Sequence, residues 1–206
     1  MATIAPRSFY GRIGKRLLDL TLTVLCLPIV APVLLACAIA IRLDSPGPAL
    51  FRQVRIGQDG TTFRVFKFRT MIENAHTLTP AVSHLNVLAA PDFKIPDDPR
   101  ITRVGRLLRQ TSLDELPQLF NVLAGSMSLV GPRPTDFSPD TYEVWHAERL
   151  EVPPGITGLW QIKGRDETEF DERLRLDIAY IDGFSLGTDL KILFLTIGAV
   201  IRRSGH

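Results

Sequence analysis

Thr111-Ser112-Leu113-Asp114-Glu115-Leu116-Pro117-Gln118, followed by Gly131-Pro132-Arg133-Pro134, is the stretch around which the rest of the chain can be read. Two adjacent carboxylates, Asp114 and Glu115, stand just after Arg100, Arg103, Arg106 and Arg109. Residues three apart lie on neighbouring turns of one helix face. A helix over 101–110 would therefore present an arginine stripe and leave Ile101, Val104, Leu107 and Leu108 to face inward. A second helix is expected to start near Ser112, with the carboxylates at its start, where backbone N–H groups and the helix dipole favour negative charge. Ser112-x-x-Glu115 also fits a capping box, a purely local role. With Asp114 as N-cap, Pro117 would fall in the first turn, where its missing N–H costs nothing. Cations beside a carboxylate pair suggest a site for phosphate and a divalent metal.

Upstream stand Phe51-x-Gln53-x-Arg55-x-Gly57 and Lys67-Phe68-Arg69-Thr70-Met71. Downstream stand Pro154-Gly155-Ile156-Thr157-Gly158, Trp160-Gln161 and Gly164-Arg165. Together with Arg109 through Pro134, these ordered motifs resemble the bacterial sugar transferases, the monotopic phosphoglycosyl transferases. The resemblance covers nearly the whole chain. It implies transfer of a phosphosugar from a UDP-sugar to polyprenol (undecaprenyl) phosphate, releasing UMP, with Mg²⁺ as cofactor. By that resemblance Asp114 is the nucleophile, forming an aspartyl-phosphosugar intermediate. Glu115 holds Mg²⁺ with it or handles the acceptor's proton. Lys67, Arg69, Arg109 and Arg133 contact phosphates, and Gln161, Arg165 and Asp177 join the substrate-binding set.

The length of 206 residues allows one ordinary domain plus a membrane element. Hydrophobic content is 45 %, high for a soluble protein. Leu20 to Ile41 carries no charge over 22 residues, about 33 Å as a helix, enough for a hydrocarbon core of about 30 Å. A buried core helix is the alternative; a signal peptide fits poorly, because no small-residue cleavage site follows. Pro28 and Pro32 fall mid-segment, and each removes a helix hydrogen bond. Arg12, Lys15 and Arg16 precede the run and Arg42 follows it, which favours both ends on the cytoplasmic side. The resemblance implies a re-entrant helix broken near Pro28 and Pro32. Lys15, Arg16 and Asp19 match its start, while Ala31 stands where the family often has serine. Longer family members carry extra transmembrane helices; this chain resembles their compact catalytic core.

Ser45-Pro46-Gly47-Pro48 should end the membrane element. Residues 49–71 read as a hairpin, with β-formers at Phe63, Val65, Phe66 and Phe68 and a turn at Asp59-Gly60. Its basic residues suit anionic lipid as well as phosphate. Loops and one short helix are expected over 75–100, with His76 and His84 on the surface. Gln118–Leu123 should continue as helix and stop at Gly125; 127–130 is strand-like or buried coil. Between two prolines, Arg133 sits on a stiff loop suited to forking onto phosphate or carboxylate. Trp160 suits stacking, an interface or the core. Phe170, Leu174, Ile178 and Ile181 share one helical face, with acids on the other. Residues 186–201 read as an interfacial or core helix anchored by Arg202 and Arg203. Cys26 and Cys37 fit small hydrophobes in a reducing compartment.

The expected fold is α+β: a mostly helical catalytic domain (46–206) with a small β-hairpin and interfacial amphipathic helices, preceded by a basic segment and re-entrant membrane helix (1–45). The expected place is the cytoplasmic face of a bacterial inner membrane. The partners implied are a UDP-sugar, polyprenol phosphate and a phospholipid membrane, with no nucleic acid; a homodimer stays open. Two rival functions use the same residues. One is a membrane-anchored magnesium phosphohydrolase with water as acceptor. The other is a non-enzymatic anchor that binds anionic lipid.

Overall fold

The structure is a computed structural model and describes residues 9–88, 93–135, 143–163 and 169–201. Arg165, Arg202 and Arg203 lie outside them. A wide helical turn at Tyr10–Gly14 leads into α1 (Lys15–Asp44), which runs without interruption through Pro28 and Pro32. Val24, Leu25, Ile29, Leu35 and Ile39 are exposed on it. A core helix would bury such side chains, so the buried-helix alternative does not hold. By length and composition α1 is able to cross a membrane.

Both ends of α1 are fastened to the rest of the chain. At its start, Asp19 accepts from Ser128 Oγ at 2.8 Å and from the Leu129 N–H at 3.1 Å. Lys15 pairs with Asp189 at 2.8 Å, and Arg16 donates to the Leu123 carbonyl at 2.9 Å. At its end, Asp44 accepts from the Val104 N–H at 3.0 Å. Ser45 is extended, so the breaker cluster ends the helix as expected.

β1 (Leu50–Ile56) and β2 (Thr62–Phe68) form the expected antiparallel hairpin, with Asp59 and Gly60 supplying the left-handed turn residues. Single turns of helix at Ala75–Leu78, α2 (Thr79–Val82) and Ser83–Leu85 fill the next region. His76 and His84 are exposed.

α3 spans Arg103–Gln110, so Arg100 precedes it and is buried against Asp98, 2.6 Å away. Arg103 and Arg106 do face solvent. Leu107 is a correction: expected inward, it is 58 % exposed. The reason is Gly105, where an added Cβ would lie 2.0 Å from the Thr70 carbonyl oxygen. That approach turns Gly105 and Leu108 inward and Leu107 out.

α4 (Gln118–Ala124) ends at Gly125, with φ +86°. β3 (Ser128–Val130) pairs in parallel with β4 (Gly155–Thr157), a second small sheet that no alternation in the sequence announced. α5 (Leu159–Lys163), α6 (Phe170–Asp182) and α7 (Leu186–Ile201) follow. Val130, Val152, Tyr180, Ile181 and Ile192 form one core cluster here. On α7, Ile192 and Asp189 are buried while Leu190, Phe194 and Ile197 are exposed, giving one face to the core and one apolar face outward. Arg173 lies over the Trp160 ring at 5.5 Å. Cys26 and Cys37 are both free thiols.

Candidate functional site

The two carboxylates sit in a short turn, Leu113–Glu115, ahead of α4 rather than inside its first turn. Ser112 turns the chain there with φ +56°, and its side chain makes no capping hydrogen bond. Pro117, not Asp114, holds the N-cap position of α4. The local capping role therefore goes unused, and both carboxylates are directed elsewhere.

Glu115 is held by two cations from other elements. Lys67 lies on β2 on the same face as buried Val65, because side chains alternate along a strand. Its Nζ donates to Glu115 Oε1 at 3.1 Å. Arg133 donates Nη1 to Oε2 at 3.1 Å and Nη2 to Oε1, a bidentate fork. Burial alone would raise the Glu115 carboxyl, but the charges of Arg133 and Lys67 and their hydrogen bonds hold it well below the usual range. Glu115 is thus a fixed anion with both oxygens engaged.

Asp114 has the opposite environment. Among the described residues, no hydrogen bond reaches its carboxylate. Burial and the adjacent Glu115 charge push its carboxyl up to about 6, against the pull of Lys67, Arg109 and Arg133. Two neighbouring carboxylates are driven apart, one locked as an anion and one unengaged, a pattern that separates roles in catalytic pairs. Arg109 sits at the end of α3, with Nε donating to Thr70 Oγ1 at 2.9 Å. Burial of Lys67 lowers its ammonium pKa, and the Glu115 charge limits the fall.

Arg133 reaches Glu115 because its loop is fixed from behind. An added Cβ at Gly131 would lie 2.5 Å from the Pro153 carbonyl oxygen, so only glycine allows the loop to cross there. Arg149, 3 % exposed within the turn Val144–Glu151, donates to the Arg133 carbonyl at 2.6 Å. The same guanidinium grips Asp177 on α6, through Nε at 3.1 Å and Nη2 at 2.6 Å. Asp177 is thus linked to the site through Arg149 and the Arg133 backbone. Burial pushes its carboxyl up to about 6 despite Arg149.

The remaining candidates lie elsewhere. Arg69 donates to the carbonyls of Pro48 at 2.8 Å and Ser45 at 2.9 Å, closing the loop after α1. Gln161 turns its amide to the Ile156 carbonyl on β4 at 3.2 Å.

Sequence reading alone did not single out Asn121. Its side chain accepts from the Phe66 N–H at 2.9 Å and donates to the Arg64 carbonyl at 2.7 Å. It pairs with the edge of β2 as a neighbouring strand would, and this sets Lys67 against Glu115. Its place three residues into α4 was legible; its partner strand was not. Arg149 was likewise unmarked, with no motif pointing to it.

No group of three or more potential metal ligands occurs among the described residues. The dyad still fits Mg²⁺, which takes one or two carboxylates and completes its shell with phosphate oxygens and water. Asp114 has its carboxylate free for this.

Comparison with known proteins matches residues 10–203 to the family described as bacterial sugar transferase. The chain is 45 % identical over 197 residues to a galactosyl transferase, CpsE, of Streptococcus agalactiae, covering 94 % of this chain and 43 % of that one. It is 42 % identical over 210 residues to the UDP-glucose:undecaprenyl-phosphate glucose-1-phosphate transferase of Escherichia coli, covering 93 % and 41 %. It is 39 % identical over 200 residues to the exopolysaccharide production protein ExoY of Sinorhizobium fredii, covering 95 % and 88 %. The chain thus spans less than half the length of the first two.

Proposed function

The chain belongs to the bacterial sugar transferase family, and from that premise we propose that it transfers a phosphosugar from a UDP-sugar to a polyprenol phosphate. The products are polyprenyl diphosphate sugar and UMP. The observation that carries this reading is the division of the dyad: Asp114 unengaged, Glu115 locked between Lys67 and Arg133.

In the proposed sequence, an Asp114 carboxylate oxygen attacks the sugar-bearing phosphorus. The bond from that phosphorus to the bridging oxygen breaks, and its electron pair leaves with UMP. An acyl phosphate joining Asp114 to the phosphosugar results. A phosphate oxygen of the polyprenol phosphate then attacks the same phosphorus and frees the Asp114 carboxylate. A covalent carboxylate route divides one difficult displacement into two easier ones. Lys67, Arg109 and Arg133 place positive charge beside the reacting phosphorus, and phosphoryl transfer depends mainly on such positioning. Mg²⁺, held by Asp114 and the one lone pair left on Glu115 Oε2, would supply neutralisation of the diphosphate charge.

The lipid acceptor fits the placement of α1. Both ends of this exposed apolar helix are bonded to the same unit that carries the dyad. That favours a helix whose two ends both stay on one side of the membrane, with the dyad near the head groups of the cytoplasmic face. The test is UMP release from a panel of UDP-sugars with Mg²⁺, with and without undecaprenyl phosphate. Multiple turnovers that need both metal and lipid are expected, with one sugar preferred. Multiple turnovers without lipid would replace the transferase with a phosphohydrolase.

A further inference from the structure

The motif Pro154-Gly155-Ile156-Thr157-Gly158 folds as β4 and its flanks, directly behind the loop that carries Arg133. Two backbone hydrogen bonds join them. The Gly131 N–H donates to the Thr157 carbonyl at 2.9 Å, and the Gly155 N–H donates to the Pro132 carbonyl at 2.8 Å. With the Arg149 bond to the Arg133 carbonyl, three consecutive residues of the loop are fixed. Pro134 restricts the backbone of Arg133 further.

These bonds need an approach that side chains would block. An added Cβ at Gly155 would lie 2.1 Å from the Gly131 nitrogen, and one at Gly158 would lie 2.4 Å from the Gly131 carbonyl oxygen. None of Gly131, Gly155 and Gly158 has a positive φ. Close approach of two backbones, not a special conformation, therefore demands glycine here. β4 is in turn held from behind by α7. Thr196 donates to the Ile192 carbonyl at 2.8 Å, which leaves Thr157 Oγ1 to donate to Thr196 Oγ1 at 2.8 Å.

The fork of Arg133 onto Glu115 uses two nitrogens on two oxygens. Site geometry of that kind holds only while its groups stay within about 0.5 Å of place. We propose that Gly155, Thr157 and Gly158 are positioning residues for Arg133, with β4 as the backstop that sets the guanidinium against Glu115. The effect on turnover rests on the transferase reading above; the placement of the loop does not.

The test uses the full chain in lipid nanodiscs and a double-mutant cycle of Gly158→Ala with Arg133→Gln. Alone, Gly158→Ala should lower kcat for UMP release roughly tenfold or more, the scale for a misplaced site group. In the Arg133→Gln background it should cost little further, because the group it displaces is gone. Equal losses in both backgrounds would make β4 a support of stability alone and overturn the proposal. Thr157→Val should also lower kcat, and Thr157→Ser, which keeps the hydroxyl, should restore it. Should Gly158→Ala not fold, the Thr157 pair decides, and a Thr157→Val variant with the kcat of wild type overturns the proposal. Hydrogen exchange reads the placement independently of the reaction. The Gly131 amide should exchange faster in the folded variants while Val122 on α4 is unchanged; an unchanged Gly131 amide would overturn the proposal. A wild type that releases no UMP from any UDP-sugar would sink the transferase reading alone, and exchange at Gly131 would then decide the role of β4.

Discussion

Arg149 donates from Nη2 to the backbone carbonyl of Arg133 at 2.6 Å, so the loop that carries a site cation is held by a buried guanidinium from another element. That guanidinium is itself neutralised by Asp177. Arg149→Met should leave Asp177 as a buried charge without its partner and destabilise the fold by about 3–5 kcal/mol. It should also release Arg133 and lower kcat in the fraction that remains folded. Denaturant unfolding together with turnover checks this; unchanged stability and full activity would exclude the relay.

Asp114→Asn is expected to abolish UMP release while leaving the thermal midpoint intact or higher, since a buried carboxylate is replaced by a neutral isostere. A fall in kcat of about three orders of magnitude or more is the scale for loss of a unit-acting nucleophile. Steady-state assays with the preferred UDP-sugar decide it, and full activity would refute the nucleophile role.

The raised Asp114 carboxyl predicts a pH signature in stability. Its folded value is about 6, against about 3.9 in an unfolded chain. Between these values the folded state keeps a proton that the unfolded state has lost, so stability falls as pH rises. Below the window both forms are protonated, and above it both are ionised, so the slope vanishes on either side. Metal-free unfolding of wild type and Asp114→Asn from pH 4 to 8 isolates this contribution. Parallel curves for the two proteins would mean that the Asp114 carboxyl is not raised.

Asn121→Ala removes the side chain that pairs with the Phe66 N–H and the Arg64 carbonyl. The loss should cost about 2–3 kcal/mol, because two backbone groups at a strand edge lose their partner. Activity should fall as well, since β2 carries Lys67. Thermal unfolding and UMP release measure the two effects, and a variant as stable and active as wild type would remove the clamp from the account.

Much of the architecture was legible because it follows from short-range rules. The apolar run before Arg42, the breaker cluster at Ser45–Pro48, the turn at Asp59-Gly60 and the stop at Gly125 all act within a few residues. The dyad was marked by two adjacent carboxylates near arginines and by its motif context. Leu107 shows the limit: its helix was foreseen, but its direction was set by Gly105 meeting the Thr70 carbonyl across the fold. The parallel pairing of β3 with β4 was equally hidden, being three residues long on each side and widely separated in sequence.

The sequence by itself determined a long apolar run, a basic hairpin and a carboxylate pair among cations, because charge, hydropathy and turn chemistry are properties of local stretches. Only the tertiary structure decided which carboxylate is locked and which is free. That choice depends on Lys67 arriving from β2 and Arg133 from a loop pinned by Arg149, contacts 48 and 18 residues away from Glu115 in the first two cases. It also took Arg69 away to the carbonyls behind α1. Equal charges in a sequence become unequal in a fold, because burial and distance to a partner set the energy of each one.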